Sequence, residues 1–207
     1  MWVPFSPCLL SIFREDTAVA AISAIILAAG RSQRFGRDKR LELIDAMPMF
    51  LLTALKLKAV VADTLVVLGP QDMVHQRLLR DHGLDFAACP DARHGMGRSL
   101  AYGVAQRPDA SGWFIMPADM PFIQEATLQS LARASRRYDL AAPVCGGHRG
   151  HPVWFGRRYY QSLCALVADQ GARSILMGAP VALHQVQVDD TGCLLDIDTP
   201  QDLPDTK

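Results

Sequence analysis

The chain reads as an α/β domain in which a mostly parallel sheet lies between two layers of helices, and three observations lead there. Short apolar runs at 24–27, 64–68, 85–88, 113–116, 140–144 and 183–188 have strand length and carry few charges, as expected for strands buried on both faces. Between them, 49–61, 72–82, 98–106, 126–138 and 157–168 carry apolar residues three and four apart with charges opposite, the period of helices that cover a sheet. Finally, 207 residues with 50% hydrophobic and 20% charged side chains suffice to bury both faces of such a sheet in one domain.

The punctuation agrees with this three-layer α/β/α, Rossmann-like reading. Gly69-Pro70, Cys89-Pro90 and Pro117 close strands, and Gly83 stands where a helix needs a left-handed residue to end. Trp113 and Trp154 are expected in the core. Residues 1–20 stand apart: MWVPFSPCLLSIF is apolar, but it has no basic start, carries Pro4 and Pro7, and runs into Arg14-Glu15-Asp16. They are expected to be an appendage without chemistry, and 21–207 the domain.

Composition excludes several roles. Lys plus Arg and Asp plus Glu both total 21, so no global field would recruit nucleic acid or an anionic membrane. Five dispersed cysteines without C-x-x-C suggest neither a disulfide framework nor a zinc ribbon, and fit a cytoplasmic setting. Cys145, His148 and His151 make C-x-x-H-x-x-H, but a fourth zinc ligand is not evident among the surrounding glycines.

In an open parallel sheet the chemistry is expected just beyond the carboxyl ends of the strands. After the first strand comes Ala28-Ala29-Gly30-Arg31-Ser32-Gln33-Arg34-Phe35-Gly36-Arg37-Asp38-Lys39, where small residues let backbone amides approach an anion and four basic side chains neutralise it. A polyphosphate is the natural guest. Gly30 and Gly36 have neither dinucleotide-fingerprint spacing nor a following G-K-[ST], which disfavours a redox dinucleotide and a Walker loop. Two further segments are Pro117-Ala118-Asp119-Met120-Pro121 and Asp196-Ile197-Asp198-Thr199-Pro200. Their carboxylates suit a magnesium ion, although Asp198 could equally cap the short helix opening at Thr199-Pro200.

At these residues the sequence resembles the MobA-like nucleotidyltransferases, the family of molybdenum cofactor cytidylyl- and guanylyltransferases. L-A-A-G-x-S-x-R-x-G-x-x-K from Leu27 to Lys39 is similar to its signature loop. Gly95-Met96-Gly97-Arg98-Ser99-Leu100, Asp119-Met120-Pro121, Gly150-His151-Pro152, Asp169-Gln170-Gly171-Ala172-Arg173 and Asp196-Ile197-Asp198-Thr199-Pro200 follow in the family's order. Phe35 stands where Met is usual, with a reshaped nucleotide cleft as the expected effect.

The resemblance implies a nucleotidyltransferase fold and Mg²⁺-dependent transfer, with Mn²⁺ as a substitute metal. It implies Arg34, Lys39 and Asp119 as catalytic residues and Asp119 and Asp198 as metal ligands. Nucleotide contacts fall to Leu27, Ala28, Ala29, Gly30, Arg31, Ser32, Gly36, Gly97 and Ser99, and the acceptor contact to His151. The implied acceptor is molybdopterin, with a molybdoenzyme receiving the product. Ala29 leaves less room than Gly for a bicyclic base, and Ser99 can satisfy a pyrimidine edge, which favours CTP over GTP. A guanylyltransferase, a cytidylyltransferase of another phosphorylated small molecule and a non-catalytic cofactor chaperone are the alternatives.

Overall fold

In the computed structural model, residues 21–30, 35–168, 170–178 and 182–203 are described; the expected appendage lies outside them. In chain order they form β1 (Ile22–Leu27), β2 (Leu43–Ile44), β3 (Met47–Pro48), α1 (Met49–Val60), β4 (Asp63–Leu68), α2 (Met73–Asp81) and β5 (Asp85–Ala88). Then come α3 (Met96–Ala105), β6 (Gly112–Pro117), α4 (Glu125–Ala134), β7 (Leu140–Cys145), β8 (His148–Arg149), β9 (Val153–Gly156), α5 (Tyr160–Cys164), α6 (Arg173–Gly178) and β10 (His184–Gln187). The main sheet runs β10-β7-β9-β6-β1-β4-β5, with β8 on β7. Strands β1, β4, β5 and β6 are parallel neighbours, and β10 is parallel to β7.

Period two along the strands divides the core as the three-layer reading requires. Ala24, Ile26, Phe114 and Met116 pack with Phe50, Leu57, Leu79 and Leu128 from α1, α2 and α4. Ile25, Trp113, Ile115 and Phe155 face the other way, against Leu100, Val104, Leu163 and Leu176 from α3, α5 and α6. Gly103 brings α3 close to the sheet: a Cβ there would lie 2.7 Å from both Ile25 and Val67 side chains. Trp113 and Trp154 are buried, as expected, and Gly83 adopts φ +63° after α2.

Several elements depart from the sequence expectation: the short strands β2, β3 and β8 and the helix α6 are not anticipated there, and two further departures concern β9 and the segment 157–168. The strand β9 is inserted antiparallel between β6 and β7; only four residues long, it is held by sheet neighbours on both edges rather than by its own length. The helix expected over 157–168 is instead a 3-10 turn, Arg157–Tyr159, followed by the short α5, and the chain turns at Ala168, with φ +48°, where its carbonyl accepts the Gly97 amide. Among the described residues no helix is long and apolar enough to cross a membrane.

Candidate active site

The site forms where β1, β4 and β6 end. Beyond β1 the Ala28 amide donates to the Val67 carbonyl at 2.9 Å, and the Ala118 amide donates to the Leu27 carbonyl at 3.1 Å. These bonds set the Ala28 loop beside Asp119. Among the described residues, the amides of Ala29 and Gly30 make no hydrogen bond within the chain, so they are the ones left to meet an anion. Gly36, with φ +77°, turns the chain into the 3-10 turn Lys39–Leu41, capped by Asp38 through the Arg40 amide. Arg31, Ser32 and Arg34 lie outside the described residues.

Asp198 arrives from far along the chain. The Ile197 amide donates to the Asp119 carbonyl at 3.0 Å, and Ile197 is fully buried with Phe35, Ile44 and Met49. Phe35 therefore packs the loop against the Asp198 segment. The capping role considered for Asp198 belongs to Thr199 and Asp202. The Asp202 carboxylate accepts from the amides of Asp198 and Thr199 at 3.0 and 2.7 Å, while the Asp198 carboxylate accepts from Lys39.

Lys39 joins the two acids. Its Nζ donates to Asp119 Oδ2 at 2.7 Å and Asp198 Oδ1 at 2.9 Å, with all three side chains partly buried. Burial disfavours the ammonium, but the bonds and charges of Asp119 and Asp198 outweigh it, so its pKa lies above that of an ordinary lysine. The other oxygen of Asp119, Oδ1, is buried without a hydrogen-bond partner. An unsatisfied carboxylate oxygen is costly to keep, and here it is available to a cation.

The remaining expected residues divide. The Gly97 amide donates to the Ala168 carbonyl at 2.8 Å, and a Cβ there would lie 2.6 Å from the Gln170 carbonyl oxygen. Gly97 thus permits a close loop crossing, with its amide bonded within the chain. Ser99 is buried on the first turn of α3, its hydroxyl interacting with the Cys89 thiol. The His151 amide donates to the Cys193 carbonyl at 2.9 Å, while its Nδ1 is buried without a partner. Burial pushes the His151 pKa down, against the Ile115 backbone and the charge of Asp119, which favours a neutral ring. Among the described residues, no group of three or more His, Cys, Asp or Glu side chains is arranged to hold a metal.

One set of residues carried no signal in the sequence. Arg40 is buried, and its guanidinium reaches Asp38, Asp72 and the Ala28 carbonyl, with His75 Nε2 3.2 Å from Asp38. Within the run Arg37-Asp38-Lys39-Arg40, Arg40 looks like one more solvated charge, and Asp72 is 32 positions away.

Residues 24–186 match the MobA-like NTP transferase domain. The chain is 27% identical to the purine catabolism protein PucB of Bacillus subtilis, over 86% of this chain and 92% of that one. It is 28% identical to a molybdenum cofactor guanylyltransferase of Cupriavidus metallidurans, over 93% and 95%. The crystal structure of Rv0371c from Mycobacterium tuberculosis superposes with a TM-score of 0.78 at 25% identity, over 88% of this chain and 95% of that one. A phosphate-type loop at the end of β1, with an acid after β6 and a second acid folded back beside it, is thus carried by a chain that belongs to the MobA-like NTP transferase family, whose members are nucleotidyltransferases.

Proposed function

We propose that the protein transfers CMP from CTP to the terminal phosphate of a molybdopterin-type acceptor, with release of pyrophosphate. The observation that carries the site assignment is the Lys39 ammonium held between Asp119 and Asp198 at 2.7 and 2.9 Å, together with the amides of Ala29 and Gly30, which bond no other described residue. An acceptor phosphate oxygen forms a bond to the α-phosphorus, and the bond from that phosphorus to the β-phosphate oxygen breaks. No protein nucleophile takes part, so the chain acts by positioning and by balancing charge.

The amides of Ala29 and Gly30 bind phosphate oxygens, and Lys39 follows negative charge onto the departing pyrophosphate. Arg34 is assigned the same phosphates. Asp119 and Asp198 would hold a divalent cation, Mg²⁺ or Mn²⁺, and the orphaned Oδ1 of Asp119 fits that role. Such a cation, with most of its ligands from water and phosphate, supplies charge neutralisation to the triphosphate and the leaving group. His151, its Nδ1 unpaired, is assigned to the acceptor.

The choice of CTP rests on the methyl of Ala29 beside the nucleotide loop; the curated relatives named guanylyltransferases make GTP the competing reading. The test is pyrophosphate release with a divalent cation, a phosphopterin acceptor and each nucleoside triphosphate in turn. CTP should give the highest kcat/KM, and Ala29→Gly should narrow its lead, a single methyl being worth about 1–3 kcal/mol. Equal or higher kcat/KM with GTP in the unmodified protein overturns the choice of nucleotide. No pyrophosphate release with any nucleotide overturns the reaction.

A further inference from the structure

Arg40 is a second cation that bridges two acids, immediately next to Lys39 in the chain, and its geometry is that of a clamp. Nε and Nη2 donate to the two oxygens of Asp38 at 2.8 and 2.7 Å. Nη1 and Nη2 donate to the two oxygens of Asp72 at 2.7 and 2.9 Å. The second hydrogen of Nη1 goes to the Ala28 carbonyl. All five guanidinium N–H donors are thereby used, in two bidentate pairs and one backbone bond, a pattern that only the planar fork of arginine can complete.

Each partner belongs to a different part of the nucleotide cleft. Ala28 opens the loop after β1. Asp38 caps the turn whose first residue is Lys39. Asp72 closes the turn after β4, where its carboxylate also accepts the Gly69 amide at 2.8 Å. His75, buried on α2 with its ring edge against Phe50 at 5.0 Å between centroids, sets Asp38 from behind. We infer that Arg40 is a positioning residue: by tying the Ala28 carbonyl, the Asp38 cap and the Asp72 turn to one guanidinium, it fixes where the backbone of Lys39 stands and so holds the Lys39 ammonium in register with Asp119 and Asp198.

Packing alone does not explain the arrangement. Burying a guanidinium is costly, and a whole buried cluster of this kind can often be replaced by apolar residues of similar volume without loss of stability, whereas removing the cation alone leaves two acids uncompensated. What the charged fork adds is a defined distance between the loop that meets the phosphates and the turn that carries Lys39. Its role in turnover rests on the proposed reaction; its hold on Lys39 does not.

The two are separated by trace acetylation of the full chain, read by mass spectrometry as the rate at Lys39 relative to Lys58, alongside circular dichroism and steady-state kinetics. Arg40→Gln removes the fork, and Asp72→Asn, isosteric and remote from Lys39, loosens one side of it. Both leave the lysines unchanged. In folded Arg40→Gln, relative labelling of Lys39 should rise about tenfold or more, the size of effect expected when one charge-assisted hydrogen bond is loosened, and kcat should fall by more than KM rises. Asp72→Asn should move both readouts the same way by less, and it decides alone if Arg40→Gln does not fold. An unchanged relative rate at Lys39, or an equal rise at Lys39, Lys56 and Lys58, overturns the inference, since it makes Arg40 either irrelevant to Lys39 or simply part of the scaffold. Selective labelling in a protein whose unmodified form releases no pyrophosphate would leave the clamp standing and remove the proposed reaction.

Discussion

Lys39 and Arg40 are neighbours in the chain, and each joins two aspartates, yet the two clusters are built oppositely. Around Arg40 every guanidinium N–H is bonded, both carboxylates are engaged through both oxygens, and the cation is buried. Around Lys39 the ammonium takes one oxygen from each acid, and the Oδ1 of Asp119 is left buried and unpaired. A closed network of this kind fixes a shape. An incomplete one, at the mouth of a cleft, keeps capacity for a ligand. Lys39 and Arg40 are successive residues of a 3-10 turn, whose side chains point about 120° apart, so one turn serves both.

The largest expected effect breaks the open cluster. Asp119→Ala should all but abolish pyrophosphate release while leaving the far-ultraviolet circular dichroism unchanged, since the side chain lies at the cleft and carries no part of the core. Full activity in that variant, still dependent on a divalent cation, would take Asp119 out of the site.

A smaller effect tests the closed cluster through pH. Burial raises the pKa of Asp38, but hydrogen bonds from Arg40 and His75 outweigh it and hold the carboxyl well below the usual carboxylate range. A folded pKa below the unfolded value of about 3.9 contributes stability that is present above it and lost as pH falls toward the folded value. Asp38→Asn should therefore cost about 1–3 kcal/mol at pH 7, the range for hydrogen bonds to a charged group, and the gap to the unmodified protein should shrink as pH falls below about 4. Denaturant melts at pH 7 and at about pH 3 measure it; an equal gap at both would mean the Asp38 charge contributes nothing.

The smallest effect lies just outside both clusters. Arg37 pairs with Glu42 at 2.5 Å, but its side chain is 61% exposed, and exposed pairs contribute little because water screens them. Arg37→Ala should leave melting temperature and turnover close to the unmodified protein. A tenfold loss of kcat would show that Arg37 belongs with Lys39.

The same contrast explains what could be read from the sequence. Strands β1, β4, β6 and β7 announce themselves by apolar runs separated by helical periods, because both faces of each are buried. Strand β9 does not, since three apolar residues after Gly150-His151-Pro152 owe their conformation to β6 and β7, which no local pattern encodes. Lys39, Asp119 and Asp198, which the structure brings together, each stand in a short motif of the sequence. Gly97 stands in a motif too, but its amide is committed to Ala168, a contact between segments about 70 residues apart that spacing does not reveal. Arg40 and Asp72 were silent for that reason as well, and the burial that distinguishes Arg40 from Arg37 appears only once the chain is folded.

The central claim is that Lys39 acts on charge that develops in the reaction, and the kinetics of Lys39→Ala test it most directly. An interaction that strengthens in the transition state is felt in kcat, whereas one that holds the ground state is felt in KM. With the variant folded, kcat should fall on the order of 10²–10³, as on removal of one preorganised charge-stabilising group, with a much smaller rise in KM for the triphosphate. A raised KM with kcat untouched would contradict the account, leaving Lys39 as an anchor for the bound nucleotide and nothing more.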